Sequence, residues 1–292
     1  MNGSKVVVVT GASSGFGRLI VETLARNGYR VFATMRDART RNARAAGEIE
    51  ALAQREGLAL HALEIDVTDE DSVLRGIDAV IARYGRVDVL VNNAGSLIVD
   101  LAETVTTGQA QRLFDTNFFG VLRMNRAILP QMKRQGSGLL LHVSSGAGRL
   151  AIPALGLYCA SKFALEALAE VYRYELAALG IDSVVIEPGA YPTPIMVDFV
   201  PGEDSARRNG YGEVAGIPEK VGANLAGSKA NPQEIADSVM RIIETPPGKR
   251  QLRYRVSGGD SSVSRINSVT DEVQTQLIES FGLTATTTFK VH

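Results

Sequence analysis

Residues 6–17 read VVVVTGASSGFG, and the expected fold follows from this stretch. Val6–Val9 is a β-branched run that is apolar on both faces, which suits a central strand of a parallel sheet. The next eight residues hold three glycines and lead into a predicted helix at 19–26. Glycines at this place let the backbone approach a pyrophosphate, and the helix N-terminus offers free N–H groups and a partial positive charge. The stretch therefore predicts a dinucleotide site, with a plain tight turn as the alternative.

The alternation of strand and helix continues over most of the chain. Seven strands are predicted, at 6–9, 30–34, 60–65, 87–91, 139–143, 182–186 and 252–256. Helical patterns are predicted at 19–26, 43–55, 69–84, 110–135, 157–179 and 231–244. Such alternation predicts right-handed βαβ units. We therefore expect an α/β doubly wound Rossmann fold, with a mainly parallel seven-stranded sheet, helices on both faces and a ligand where the strand order reverses.

The rest of the chain predicts a lid and a C-terminal extension. No segment of the 292 residues has the composition of a linker, so we expect one domain over 1–292. Residues 191–229 are rich in Gly and Pro and show no clear period. We expect a substrate lid at 194–230, with an exposed variable loop as the alternative. The extension covers 260–292, is rich in Ser and Thr, and includes a candidate amphipathic helix at 269–281.

Charge and cysteine content exclude several classes of protein. The chain has 31 Lys and Arg against 32 Asp and Glu, so it lacks the broad positive field that holds nucleic acid or anionic lipid. Its one cysteine, Cys159, excludes an intramolecular disulfide and a cysteine-based zinc site. His61, His142 and His292 show no metal-ligand spacing, so we expect no metal.

The sequence also predicts a cytoplasmic location. Its apolar runs are all shorter than the roughly 18 residues that a membrane-spanning helix needs. The first residues lead directly into the strand at 6–9, so we expect no secretory signal. We therefore expect neither a membrane nor a nucleic acid among its partners.

The end of the second predicted strand carries the signal for the cofactor. Arg36 stands where a guanidinium accommodates a 2′-phosphate, which favours NADP(H), and Ser14 is a second candidate phosphate contact. Asp37 follows, and a carboxylate there would accept hydrogen bonds from a free ribose hydroxyl, so NAD(H) stays possible. The arginines between 36 and 44 are a candidate anion site, with a solvated helix face as the alternative.

Tyr158 and Lys162 are spaced four residues apart at the start of a predicted helix, and therefore lie on one face of it. A tyrosine hydroxyl has an ordinary pKa of about 10, too high for acid–base work near neutral pH. A nearby ammonium stabilises the phenolate and lowers that pKa. The spacing predicts an acid–base pair, with an ordinary surface pair as the alternative.

Together these motifs resemble the short-chain dehydrogenase/reductase family, in its branch with a single Rossmann domain. The matching pieces follow in the family's order: Thr10-Gly-x-x-x-Gly15-x-Gly17, Asp66-Val67, Asn92-Asn93-Ala94-Gly95, Asn117, Ser145, Tyr158-x-x-x-Lys162 and Pro188-Gly189. Residues 33–37 and 158–166 look especially like those of hydroxysteroid and retinol dehydrogenases. Similar segments occur in many bacterial members, so they do not identify the substrate.

The resemblance implies a catalytic role for four residues. Tyr158 would be the general acid in carbonyl reduction and the base in alcohol oxidation. Lys162 would lower the pKa of Tyr158 and hold the nicotinamide ribose. Ser145, with Ser144 as a competitor, would hydrogen-bond the substrate oxygen, and Asn117 would keep a water in a proton relay. The expected activity is NADP(H)-dependent interconversion of a ketone or aldehyde and an alcohol. A non-enzymatic NADP(H) sensor or scaffold and a non-redox epimerase or dehydratase are the alternatives.

The resemblance also implies the remaining contacts. The expected cofactor contacts are Gly11, Ser13, Ser14, Gly15, Phe16, Gly17, Arg36, Asp66, Val67, Asn93, Ala94, Gly95, Tyr158, Lys162, Pro188, Gly189 and Thr193. The expected substrate contacts are Ser96, Leu97, Ala147, Leu150, Tyr191, Met196 and Phe199. They are mostly apolar, which favours a small hydrophobic carbonyl or secondary alcohol. The helical stretches 110–135 and 157–179 form the family's usual contact between subunits, so we expect a homodimer or homotetramer.

Overall fold

One sheet of seven strands organises the protein. The computed structural model describes residues 5–197, 199–256 and 262–290. The strands are β1 (Val6–Val9), β2 (Arg30–Met35), β3 (Leu60–Glu64), β4 (Val89–Asn92), β5 (Gly138–Val143), β6 (Ile181–Pro188) and β7 (Arg253–Val256). Their order is β3-β2-β1-β4-β5-β6-β7, and every pair of neighbours is parallel. The predicted Rossmann fold is confirmed.

Helices connect the strands and cover the sheet. They are α1 (Gly15–Arg26), α2 (Ala43–Glu56), α3 (Glu70–Tyr84), α4 (Thr107–Phe114), α5 (Gly120–Gln135), α6 (Gly156–Glu175), α7 (Pro194–Val197), α8 (Ile217–Ala226), α9 (Gln233–Glu244), α10 (Ser262–Ser280) and α11 (Thr284–Thr287). Local signals mark several ends. The Asp69 carboxylate accepts from the N–H groups of Asp71 and Ser72 at the start of α3, and Gly57 ends α2 in the left-handed conformation.

The strand β1 is buried on both faces, which explains its continuous run of valines. Val7 and Val9 pack into the apolar core on one face of the sheet, which includes Ile20 of α1. Val6 and Val8 pack into the core on the opposite face, together with Ile128 of α5. After β1 the chain builds β2 and β3 on one side and then returns to place β4 on the other. The connections therefore diverge after β1 and β4, and a crevice opens there.

The single helix predicted at 110–135 is wrong in one respect, because a turn of π-helix at 115–119 separates α4 from α5. The wider turn carries Asn117, whose side chain is buried and hydrogen-bonded. Its amide donates to the Ser96 carbonyl and to the Ser161 hydroxyl, each at 3.0 Å, and its oxygen accepts from the Ser96 N–H. Such widened turns occur frequently at functional sites.

The segment predicted as an irregular lid contains α7, α8 and two short 3₁₀ turns at 205–208 and 212–216. Residue 198 lies outside the described residues. Asp100 attaches the segment to the rest of the fold. Its buried carboxylate accepts from the Gly202 N–H at 2.9 Å and from Arg208 at 2.8 and 3.0 Å. Burial alone would raise the pKa of Asp100, but Arg208 and the backbone N–H groups bring it below its ordinary value.

The C-terminal helix α10 begins at residue 262, seven residues before the predicted 269–281, and ends at 280. The apolar pattern missed its first part because only two side chains are buried there, Val263 and the polar Asn267. Residues 260, 261, 291 and 292 of the predicted extension lie outside the described residues.

Replacing Asp100 with asparagine is expected to loosen the segment 199–216 while the sheet stays intact. An amide at this position presents a donor to Arg208 and weakens hydrogen bonds to a charged group, at a cost of about 1–3 kcal/mol. Because the pKa of Asp100 is lowered in the folded chain, this contribution is present at pH 7 and is lost as the pH falls through that lowered pKa. Tryptic cleavage near Arg207 and Arg208 should become faster at concentrations of urea that leave the protein folded.

The matched control is Glu103→Gln. Glu103 also contacts this segment, through Arg207 and Tyr211, but it is exposed. Exposed ion pairs contribute little, so the control should be cleaved at the rate of the unsubstituted protein. Equal cleavage of Asp100→Asn and the control would show that Asp100 does not hold the segment.

Candidate active site

A cavity of about 310 Å³ lies at the carboxyl ends of the strands, where the crevice opens. Six strands contribute its walls at or just after their carboxyl ends, beginning at residues 11, 35, 65, 93, 143 and 188. The start of α6 brings Tyr158 and Lys162 to the same space. Residues that are far apart in the chain therefore meet because parallel strands end at one edge.

The glycine turn at residues 10–17 packs closely against Asn93, at the end of β4. An ideal Cβ built on Gly17 would lie 2.6 Å from Asn93 Nδ2 and 2.9 Å from the Cα of Ala12. Asn93 in turn donates to the carbonyl of Thr10 at 2.9 Å and ties the turn to the end of β4. Ser14 precedes α1 without capping it through its side chain, and lines the cavity. The turn fits a pyrophosphate, because the N-terminus of α1 faces the cavity without a side-chain cap.

Two arginines lie at one end of the cavity, Arg36 and Arg41. The amide of Asn42 donates to the Arg36 carbonyl at 2.7 Å and closes a compact loop. Asp37 is exposed, has a positive φ of 50° and does not line the cavity. The sequence did not single out Arg41, although it lies in the arginine-rich stretch 36–44. Only the folded loop brings its side chain to the same cavity as Arg36.

Tyr158 and Lys162 form the opposite end of the site. Tyr158 is 5% exposed, and Lys162 Nζ lies 5.8 Å from the centre of its ring. Lys162 Nζ also donates to the Val143 carbonyl at 2.9 Å. Ser145 lines the cavity and its hydroxyl accepts from the Ala147 N–H. The pair is buried, so the alternative of an ordinary surface pair does not apply.

Burial dominates the electrostatics of this end. It raises the pKa of Tyr158 to about 12, and the hydroxyl of Ser145 offsets only part of that rise. Burial therefore outweighs any lowering of the Tyr158 pKa by Lys162. Burial also lowers the pKa of Lys162 to about 8, against the carboxylate of Glu166, which raises it. His142 is buried as well, and burial followed by the charge of Lys162 lowers its pKa to about 3.

Asn117 lies beside the cavity and does not line it. Gly95 stands between Asn117 and Lys162. A Cβ on Gly95 would be 3.4 Å from Asn117 Oδ1 and 3.9 Å from Lys162 Nζ. An added methyl group would therefore be in van der Waals contact with both side chains.

The structure brings most of the sequence-predicted contacts to the cavity. Those that line it are Gly11, Ser13, Ser14, Gly15, Phe16, Arg36, Asp66, Val67, Asn93, Ala94, Gly95, Ser96, Ser145, Tyr158, Lys162, Pro188, Gly189, Thr193 and Met196. Gly17 lies behind the turn. Leu97, Ala147 and Phe199 belong to an apolar cluster that includes Tyr158, and Leu150 is half-buried outside both.

Tyr191 lies in the core and not at the cavity. Its side chain is fully buried and packs edge-on against Phe16, with ring centres 5.5 Å apart. Its hydroxyl donates to Glu234 at 2.9 Å, with the Val256 carbonyl at 3.2 Å as a second acceptor. A buried hydroxyl needs such partners, and it finds them on α9 and β7.

Comparison with known proteins agrees with the fold and the motifs. A family profile described as short chain dehydrogenase matches residues 5–204. The chain is 36% identical to the uncharacterized oxidoreductase YusZ of Bacillus subtilis over 263 residues, which cover 87% of this chain and 90% of that one. The chain belongs to the short-chain dehydrogenase/reductase family, and it is an oxidoreductase of that family.

The predicted likeness to hydroxysteroid and retinol dehydrogenases is confirmed. Human retinol dehydrogenase 8 is 33% identical over 269 residues, covering 87% of this chain and 83% of that one. Human 17-beta-hydroxysteroid dehydrogenase type 1 is 35% identical over 271 residues, covering 85% and 76%. A short-chain dehydrogenase from Streptomyces avermitilis has a TM-score of 0.77 at 32% identity, with 98% of each chain covered.

Two further solved structures contain nicotinamide dinucleotides. An alcohol dehydrogenase from the archaeon Thermococcus sibiricus, complexed with 5-hydroxy-NADP, has a TM-score of 0.68 at 29% identity and covers 87% of this chain and 96% of that one. A 3-ketoacyl-(acyl-carrier-protein) reductase from Brucella melitensis, complexed with NADH, has a TM-score of 0.70 at 26% identity and covers 87% and 97%. They support a nicotinamide cofactor and include both the phosphorylated and the unphosphorylated kind.

The described residues contain neither a candidate membrane span nor a candidate metal site. No helix there is both long and apolar enough to cross a membrane. No group of three or more His, Cys, Asp or Glu side chains in those ranges is arranged to hold a metal ion.

Replacing Gly17 with alanine is expected to lower affinity for a nicotinamide dinucleotide at least tenfold and to destabilise the fold. The added methyl meets the carbonyl of Gly11 and the amide of Asn93, which hold the turn. Isothermal titration calorimetry measures the binding, and urea denaturation measures the stability.

Gly47→Ala is the matched control, since Gly47 is a helical glycine of α2 with open space around its Cβ position. Alanine there should raise the free energy of unfolding by about 0.5–1 kcal/mol and leave binding unchanged. Unchanged affinity in Gly17→Ala would contradict the assignment of the turn to the nucleotide.

Proposed function

We propose that this protein is an NADP(H)-dependent oxidoreductase that interconverts a ketone or aldehyde and the corresponding alcohol. The observation that carries the proposal is that Ser145, Tyr158 and Lys162 meet at one end of a cavity whose other end holds Arg36 and the glycine turn. A bound nicotinamide supplies the hydride that is added to the carbonyl carbon, and accepts it in the reverse direction. Pro188, Gly189 and Thr193 would hold it beside Tyr158.

The side chains supply the proton and the orientation. In reduction, the Tyr158 hydroxyl gives its proton to the substrate oxygen while the Ser145 hydroxyl holds that oxygen in place. With a pKa of about 12, Tyr158 is protonated at neutral pH and is ready to donate. The phenolate left behind is costly in a buried site, and the positive charge of Lys162 stabilises it. Asn117, beside Lys162, would hold a water that returns a proton to this end of the site.

Arg36 and Arg41 support NADP(H) over NAD(H). Both line the cavity, whereas the Asp37 carboxylate that would favour a free ribose hydroxyl is turned out to solvent. Guanidinium groups bind phosphate through charge-assisted hydrogen bonds. Two such groups at one end of the cavity suit a 2′-phosphate.

A hydrophobic substrate is supported by the apolar cluster around Tyr158. Its buried members include Leu97, Val99, Leu155 and Met196, and residues of α8 pack against it. Two relatives are named for apolar alcohols, one for retinol and one for a 17-beta-hydroxysteroid. We propose a hydrophobic carbonyl or secondary alcohol that enters beneath the segment 194–230, which acts as its lid.

We also propose that the protein works in the cytoplasm as a homodimer or homotetramer. Exposed apolar side chains on the stretches 110–135 and 157–179 support this assembly. Phe119, Phe163 and Val171 are 46%, 43% and 47% exposed. Their burial against a second copy of the chain would remove them from water.

The first test follows NADPH absorbance with small keto esters, aryl aldehydes, quinones, retinal and ketosteroids. Tyr158→Phe should lower kcat by about 10²–10⁴-fold with any accepted substrate, because the proton donor is lost. Tyr172→Phe, on the same helix α6 but away from the cavity, is the control and should keep full activity. Tight NADPH binding without turnover would support a cofactor sensor instead, and the absence of binding would overturn the cofactor assignment.

The second test addresses the phosphate. Replacing Arg36 or Arg41 with alanine should raise the KM for NADPH about 10–100-fold and leave the KM for NADH nearly unchanged, since each contact to a charged group contributes about 1.5–3 kcal/mol. Arg39→Ala is the control, because Arg39 is exposed and does not line the cavity. A parallel rise in both KM values would argue against 2′-phosphate recognition.

A further inference from the structure

A cluster of charges, buried or nearly buried except at Asp271, lies behind the site and is centred on Arg253 of β7. The Arg253 side chain is 2% exposed. It donates to Glu166 at 3.1 Å, to Glu170 at 2.6 Å and to Asp271 at 2.9 Å. Glu187 lies 3.9 Å from its Nε. We name Arg253 and these four carboxylates the Arg253 cluster.

The cluster joins elements that carry the site. Glu166 lies one helical turn after Lys162 on α6. Glu187 directly precedes Pro188, which lines the cavity. Arg149, just after the Ser145 loop, donates to Asn267 of α10, and Asn267 donates to Glu187 at 2.8 Å. The helix α10, which lies beyond the matched residues 5–204, thereby closes the cluster from behind.

Glu166 is the member of the cluster that faces the active site. It is 2% exposed, and its carboxylate raises the pKa of Lys162 against the effect of burial. Burial and Glu187 raise its own pKa to about 7, while Ser144 and Arg253 act in the opposite direction. Its Oε1 makes no hydrogen bond of good geometry, although the Ser144 hydroxyl lies close enough to affect it.

Stability alone does not account for this arrangement. Taking carboxylates out of water is costly, and buried ion pairs are often no more stabilising than apolar residues of the same volume. Arg149 and Arg255 also act on Glu187, so three guanidinium groups face four carboxylates and one negative charge remains unbalanced. The one group of the active site that gains from this excess of negative charge is the nearby ammonium of Lys162.

We propose that Glu166 is a positioning residue of the active site, which Arg253 and α10 fix in place so that its carboxylate keeps the Lys162 ammonium charged. The proposal rests on the proposed function, because it matters for catalysis only if Lys162 acts as a cation beside Tyr158. The helix α10 then belongs to the catalytic apparatus without touching the cavity.

The test is a titration of Lys162 by NMR in protein with ¹³C-labelled lysine, with the signal assigned by its loss in Lys162→Met. Lys162 should titrate near pH 8 in the unsubstituted protein. In Glu166→Gln the midpoint should fall by about one unit, because an opposite charge is removed. The alkaline limb of kcat/KM for NADPH-dependent reduction should move to lower pH by the same amount.

His142 and Tyr158, the other titratable groups beside Lys162, each keep one protonation state near pH 8. His142, on β5, is neutral above its pKa of about 3. Tyr158 keeps its proton until about pH 12. Glu187 of β6 and Arg253 of β7 act directly on Glu166. Glu170 of α6 and Asp271 of α10 pair with the same Arg253, and Arg149 and Arg255 act on Glu187.

Glu170→Gln is the matched control. Glu170 binds the same guanidinium and lies on the same helix, one turn further from Lys162. It should leave the Lys162 midpoint and the alkaline limb unchanged. Glu166→Asp keeps the charge and should retain most of the unsubstituted midpoint. Glu166→Gln removes one charge from an acid-rich cluster, so the fold should tolerate it.

Two results would overturn the proposal. One is an unchanged Lys162 midpoint in Glu166→Gln, and the other is an equal shift in Glu170→Gln, which would make the cluster a purely structural device. Failure of the proposed function looks different, since the NMR midpoints would shift as stated while no carbonyl is reduced. The titration therefore tests this inference independently of turnover.

Discussion

The parallel pairing of β1 with β4 is the constraint on which the rest of the structure depends. It sets Val7 opposite Val89 and Val9 opposite Val91, so that Thr10 and Asn93 emerge side by side at the end of the two strands. Asn93 then donates two hydrogen bonds to Thr10, from its backbone N–H and its side-chain amide, and these fix the glycine turn. Because the connections run to opposite sides from here, the backbone leaves an open crevice. The cavity, the N-terminus of α1 and the position of Gly95 all follow from this one pairing.

Burial gives the site its chemical character. The same removal of water that raises the pKa of Tyr158 lowers that of Lys162, so each group is pushed towards its neutral form. The proposed reaction needs a positively charged Lys162 beside the phenolate of Tyr158. A nearby negative charge must therefore offset the effect of burial on Lys162. In our proposal, Glu166, held by the cluster behind it, supplies the negative charge that does this. In this proposal, the polar surface of α10 contributes to the active site, as the glycine turn does.

The parts of the fold that follow from local chemistry could be predicted from the sequence. Valines on both faces predict a central strand, and Gly57 and Gly180 mark helix ends because a left-handed residue is required there. The widened turn at 115–119 and the length of α10 could not be predicted. Both depend on partners distant in the chain: Ser96 and Ser161 for Asn117, and Glu187 and Arg149 for Asn267.

The sequence by itself determined the fold class, the family and the motif residues, because strand and helix periods and glycine spacing are local signals. Only the tertiary structure decided which of those residues share a cavity. In the folded chain, Arg41 and Arg36 line the same cavity and Tyr191 is buried in the core. Arg253, Glu166 and α10 lie together behind the site. These outcomes arise from burial and from contacts between distant segments. Both are properties of the folded chain that no short stretch of sequence contains.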